Sequence, residues 1–276
     1  MIGDENLQNS QDYSEGQKKA AFRVLVELCS LFEQYRDDIR IIGGWVPELL
    51  FPNQGHVGSV DVDVLINHLA LQDEGYQTMK RILLKNGYAE HPIKYFSFIK
   101  RFVIEGISYA VDVDILSGIY GGTKAQRRSQ HIQGLKALKA TGGNFAFKFE
   151  PIRVKIEASR PDGALDVAYV SVVSTVPYLV MKTAALGRGK AKDAYDIYFL
   201  IKHYHGGIEQ LANDFMGYSD MPIIQTMKDK LSEKFASEKH VGPVDVSRFL
   251  ALVDEQEIEM VCRDAFEQVQ ALLSSI

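Results

Sequence analysis

Cysteine is scarce in this chain: Cys29 and Cys262 are its only two in 276 residues. They lie far apart in apolar, helix-like surroundings, which excludes a disulfide framework and a zinc-ligand spacing and leaves buried thiols. No apolar run approaches the roughly eighteen residues of a membrane span. The stretch from Met1 to Gln17 is polar and has no leader-like apolar core. The expectation is therefore a protein of the reducing cytoplasm with no membrane partner. Internal repeats and low-complexity tracts are missing too. A net charge of −5 with a pI near 5.8 excludes a wholesale basic coat for nucleic acid. One further absence is local. Between Asp114 and Glu150 there is no acidic residue, yet Lys124, Arg127, Arg128, Lys136, Lys139 and Lys148 fall there. Such a run is a local positive field that can receive a triphosphate, an RNA backbone, or both. Its plain alternative is a solvated loop and helix.

What is present is ordinary in bulk, with 46% apolar and 24% charged residues. A chain of this length can bury a substantial core as one large domain or two. The informative part is Gly43-Gly44-Trp45 followed sixteen residues on by Asp61-Val62-Asp63-Val64. The branched residues of 60–66 predict a buried strand. On a strand Asp61 and Asp63 share one face, about 7 Å apart, and the apolar residues share the other. Two carboxylates so placed repel each other and lose hydration, which a divalent cation between them relieves. The glycine pair offers a turn where backbone can approach a phosphate. Tyr109–Leu116 predicts a second apolar strand, with Asp112 and Asp114 on one face. Either acid can complete a three-carboxylate cage for two metals.

Coarse patterning predicts an amphipathic helix over 16–35, a short strand over 39–42 and a helix over 46–50. A helix over 69–85 and strands over 93–104 and 108–116 follow, the strands joined by a hairpin at Glu105-Gly106. Further strands are expected near 150–156 and 165–173, with helices from 176 onward. A boundary near 175 separates a catalytic α/β domain (1–175) from a helical C-terminal domain (176–276).

Gly-Gly, then Asp-x-Asp, then a further acidic strand resembles the polymerase-β-like nucleotidyltransferase superfamily. Asp114-Ile115-Leu116 followed by Tyr120-Gly121-Gly122-Thr123 is similar to the AbiEii/AbiGii toxin-type nucleotidyltransferases. So is Val180-Met181-Lys182-Thr183-Ala184-Ala185-Leu186, running into Arg188, Lys190 and Lys192-Asp193-Ala194-Tyr195-Asp196. The resemblance spans roughly residues 38 to 200. His56 and Ser59 stand where that family often has Arg and Thr.

The resemblance implies a mixed α/β (α+β) core with flanking helices and a Mg²⁺-dependent, pyrophosphate-releasing transfer from an NTP. In it Asp61 and Asp63 would bind metal, and Asp114, preferred over Asp112, would be the third carboxylate that activates an acceptor hydroxyl. Gly43 and Gly44 would hold the triphosphate, Ser59 could donate to a phosphate, and Lys182, Asp193 and Asp196 would be the downstream basic and acidic site residues. A lysine such as Lys182 could neutralise charge as pyrophosphate leaves. Without the resemblance, Lys192 and Asp196 read as an ordinary i,i+4 surface pair. The acceptor it implies is RNA, with the 3′ end of tRNA first, and the partner an antitoxin protein. The alternatives are nucleotidylation of an aminoglycoside-like small molecule and a nucleotide-binding module without catalysis.

Overall fold

The computed structural model describes residues 7–68, 70–71, 78–118, 129–132 and 135–276. It is mixed α/β, as the sequence predicts. The chain divides into two compact units. One comprises Ser14–Leu50 and Gly58–Ser174; the other gathers 7–13, Phe51–Val57 and Thr175–Ile276. A single boundary near 175 therefore misses two short N-terminal segments that belong with the helical unit.

The first unit is built on a mixed sheet of nine strands among the described residues. Helix α1 (Glu15–Leu31) starts at Ser14, whose hydroxyl accepts from the Gln17 N–H, and packs on strands of the sheet through Ala20, Ala21, Val24, Leu25 and Leu28. Strand β1 (Ile39–Ile42) leads into a 3₁₀ turn at Gly43–Trp45 and the short helix α2 (Val46–Leu50). Strand β2 (Val62–Ile66) lies antiparallel to β1, then come α3 (Met79–Lys85), β3 (Tyr88–Glu90), β4 (Ser97–Ile104) and β5 (Ile107–Gly118). Strands β6 (Ser129–Ile132) and β7 (Leu135–Ala140), the short α4 (Gly143–Ala146), β8 (Ile152–Ser159) and β9 (Leu165–Val172) complete it. The order is β3-β4-β5-β2-β1-β9-β8, with β7 also paired to β5.

The centre is where sequence and structure agree most closely. Val62, Val64, Leu65 and Ile66 of β2 and Val111, Val113 and Ile115 of β5 are fully buried, as near-continuous branched apolar runs require of central strands. The β4–β5 turn falls on Glu105-Gly106, both at positive φ (52° and 82°), the geometry a two-residue hairpin demands. Two expectations change. The acid-free segment is only in part turn and helix (α4) where it is described, because β6 and β7 pair as a hairpin there. Strand β4 starts at Ser97 rather than 93, since Pro92 lacks the N–H a ladder needs and Ile93 is exposed. Of the predicted helix over 69–85, the described part forms a helix at 79–85. Tyr120–Thr123, Lys124, Arg127 and Arg128 lie outside the described residues, as do the side chains of His131 and Lys136.

The second unit is helical: α5 (Thr175–Ala185), α6 (Ala191–Lys202), α7 (Gly207–Asp214), α8 (Pro222–Lys234), α9 (Val241–Phe249) and α10 (Glu255–Ser275). Its core is formed by Tyr178, Leu179, Ile197, Leu200, Leu231, Phe235, Phe249 and Leu272. Residues 191–201 of α6 are buried all round, polar ones included, which marks it as the central helix of this unit.

Candidate functional site

The register between β2 and β5 is the first determinant of the site in the sheet unit. The two strands run parallel with Asp63 beside Asp114, flanked by Val62 beside Val113 and Val64 beside Ile115. Because side chains alternate across a sheet, the two acids share a face while the valines and Ile115 fill the core behind them. Asp112 is elsewhere employed. Its Oδ2 pairs with Lys94 Nζ at 3.2 Å, and His91 Nε2 stands 3.9 Å away. That geometry favours Asp114 over Asp112 as the acid facing the Asp-x-Asp pair.

Asp61 sits one residue before β2, not on it. Its carbonyl accepts from the Trp45 indole N–H at 2.8 Å instead of from a ladder. Ser59 donates its hydroxyl to Asp61 Oδ1 at 2.6 Å. Ser59 is thus bound to a carboxylate of the site, where the sequence suggests a phosphate as its partner. Trp45 is buried against Phe22 of α1, ring centroids 5.4 Å apart, so its ring is packing and its N–H is a tether for Asp61.

Gly43 is required twice over. Its φ is +72°, a region side-chain-bearing residues rarely occupy, and an added Cβ would stand 1.9 Å from Asp63 Oδ2. The space a side chain would take is filled by the Asp63 carboxylate. Gly44 is buried in the same turn.

Asp114 carries the electrostatic signature. Burial first, and the neighbouring Asp61 carboxylate second, push its pKa up to about 7, against smaller opposing effects of Ser97 and Lys94. Its Oδ1 is buried without a hydrogen-bond partner. An orphaned carboxylate oxygen beside other acids is an expensive arrangement in the bare protein. Among the described residues, no three His, Cys, Asp or Glu groups converge closely enough to hold a metal ion by themselves. The donors are all hard oxygens, however, and Mg²⁺ commonly takes one or two carboxylates and completes its shell with water and substrate phosphate. The residues fit that ion better than a closed all-protein cage.

Lys182, Asp193 and Asp196 meet in the helical unit. Lys182 Nζ lies 2.9 Å from Asp193 Oδ1 and 2.7 Å from Asp196 Oδ2, and Lys192 Nζ lies 3.0 Å from Asp196 Oδ1. The Lys192–Asp196 pair is thus a buried member of a network rather than a surface pair. His56 joins it from 140 residues away, with Nε2 2.9 Å from Asp196 Oδ1. Both side chains are 0% exposed. The imidazole stacks on Tyr195 (5.2 Å, 16°) and meets Phe199 edge-on.

Burial lowers the His56 pKa to about 4, so the ring is neutral at pH 7 and donates its Nε2–H to Asp196. Burial alone would raise Asp196, but Lys182 and Lys192 outweigh it and hold the carboxyl well below its usual range. Lys182, conversely, is held above its ordinary value by Asp193 and Asp196 despite burial. Nothing local in the sequence marks His56 for this position; its partners are set by the tertiary fold.

Two outcomes follow from these arrangements. Gly43→Ala should destabilise the protein by about 2–4 kcal/mol from left-handed strain and overlap with Asp63. The cost should shrink by about 1 kcal/mol or more in an Asp63→Ala background, where the overlapping oxygen is gone; urea unfolding of the four proteins measures the coupling, and strict additivity would refute the contact. Asp196→Ala should cost about 3–5 kcal/mol by leaving two buried lysines without their shared anion, read by the same denaturation.

No family model, curated protein or solved structure matches this chain.

Proposed function

We propose that the chain is a Mg²⁺-dependent nucleotidyltransferase that moves a nucleotidyl group from an NTP to an acceptor hydroxyl and releases pyrophosphate. The observation that supports this most is the β2–β5 register, which puts Asp114 beside Asp63 while the Gly43 turn closes against the same carboxylate. Asp61 and Asp63 would hold the ion; when bound, it supplies charge neutralisation on the phosphates and lowers the pKa of the acceptor hydroxyl. Ser59 fixes the rotamer of Asp61 by donating to its Oδ1. The Trp45 N–H fixes the Asp61 backbone. Asp114, beside Asp63 with a buried, unpartnered Oδ1, would be the base that takes the acceptor's proton. Lys94, held by Asp112, adds positive potential beside Asp114 and limits the repulsion among the acids.

The acid-free run between Asp114 and Glu150 supports a polyanionic acceptor, since a cationic antibiotic would want an acidic cleft. RNA is accordingly our proposed acceptor. The toxin-type resemblance puts the 3′ end of tRNA first and makes an antitoxin the natural protein partner.

The test is transfer of label from each α-labelled NTP onto total bacterial tRNA with Mg²⁺. Asp61→Ala and Asp63→Ala should each reduce transfer by about 10³-fold or more, as loss of metal ligation removes several kcal/mol of charge stabilisation, with stability unchanged or raised by relief of repulsion. Wild-type transfer in either variant would refute the site. Binding of NTP without label on RNA would move the acceptor to a small molecule or protein; neither binding nor transfer would refute the enzymatic reading.

Asp114 also gives a pH prediction. Its carboxyl titrates near 3.8 in the unfolded chain and about 7 in the fold. Across that window the unfolded state loses the proton first, so this group's contribution to stability falls as pH rises from about 4 to 7. Asp114→Asn should therefore raise stability at pH 8 by roughly 1–3 kcal/mol and have little effect near pH 4. Thermal melts across pH check this, and a variant equally shifted at both ends would contradict it.

A further inference from the structure

Strand β8 ends the sheet. Its one ladder is the antiparallel pairing with β9, from Ile152 beside Val172 to Ser159 beside Leu165, and among the described residues no strand covers its outer edge. Eight residues of open edge are a template for another strand. The neighbouring surface is apolar where a solvated sheet face is usually polar. Leu165, Val167 and Tyr169 alternate along β9 on one face and are 69%, 43% and 51% exposed. Beside them on the same face of β8 stand Ser159, Glu157 and Lys155, each opposite one of the three.

The charges on that edge are informative. Proteins guard open edges with charges of one sign, which repel any identical strand. Here Lys155 and Glu157 are opposite in sign, two residues apart, exposed, and on the same face. Bring up a second β8 antiparallel to the first, with the two-fold axis through Ile156. Lys155 of each copy then faces Glu157 of the other, twice, and Arg153 faces Ser159. Slide the pairing so that the axis passes through Lys155 or through Glu157, and that residue meets its own copy. With the axis at Lys155, Arg153 of each copy faces Glu157 of the other but the two lysines meet at the centre; along the strand the Ile156 register alone has central opposite-charge pairs and no like-charged pair.

We propose that β8 is a homodimer interface, in which two copies join their sheets edge to edge about a two-fold axis at Ile156. The combined face would carry Leu165, Val167 and Tyr169 of both copies flanking the central Lys155–Glu157 pairs. A symmetric pairing of this kind closes on itself, so it gives a dimer rather than a fibre.

Sedimentation of the full chain at 1–100 µM tests this. The expected result is a concentration-dependent dimer. Lys155→Glu and Glu157→Lys alone should each weaken it by about tenfold or more, because both central pairs become like-charged. The decisive arm mixes the two single variants in equal amounts. In that mixed pair both 155–157 contacts are again between opposite charges, one of them with reversed polarity, so dimer should return to within about threefold of wild type, and the double variant, with both contacts reversed, should dimerise likewise. Recovery on mixing cannot come from misfolded protein. A wild-type chain that stays monomeric to 100 µM would overturn the proposal. So would single variants that dimerise as well as wild type, or a mixture that stays monomeric.

Discussion

The parallel pairing of β2 with β5 is the constraint on which the rest of the sheet unit depends. Buried valines and isoleucines on one face of each strand lock the register, and that register forces Asp63 and Asp114 onto the opposite face side by side. The apolar residues stabilise the pairing strongly enough for two like-charged side chains to be held together at a cost. The cost is visible in the raised pKa of Asp114 and in its orphaned oxygen. Strain of this kind persists where surrounding structure over-determines it, and such places are where function tends to be found.

The neighbouring details answer to the same constraint. Gly43 has no side chain because Asp63 occupies the space, Ser59 and the Trp45 indole fix Asp61 from two directions, and Lys94 pairs with Asp112. The helical unit has its own polar centre with a different balance. There two lysines and two aspartates compensate one another, and a neutral histidine supplies the remaining donor to Asp196. The first centre holds Asp114 at a cost, whereas in the second the charges balance and join α5, α6 and the 51–57 segment.

Much of this was legible in the sequence where the signal is local. Alternating Val and Asp announce β2 and β5, Glu105-Gly106 announces the hairpin that joins β4 to β5, and apolar periodicity places α1 and the helices after 175. The signals failed where structure is set by distant partners. No pattern around His56 points to a residue 140 positions away. Asp61 was read as a strand residue because its neighbours are branched, yet the Trp45 indole claims its carbonyl and ends the ladder. The β6–β7 hairpin was hidden by lysines and small residues, since a weakly apolar strand at the side of a sheet carries little periodicity of its own. The closeness of Gly43 to Asp63 likewise emerges only from the fold.

The most direct measurement is calorimetric titration of the full chain with a non-hydrolysable NTP analogue, with and without Mg²⁺, beside Asp63→Ala. If the carboxylates of β2 and β5 are held together for a cation and a triphosphate, the analogue binds with Mg²⁺, binds at least about tenfold more weakly without it, and loses the metal-dependent part in the variant. Binding that is indifferent to Mg²⁺, or that survives unchanged in Asp63→Ala, would contradict the account at its centre.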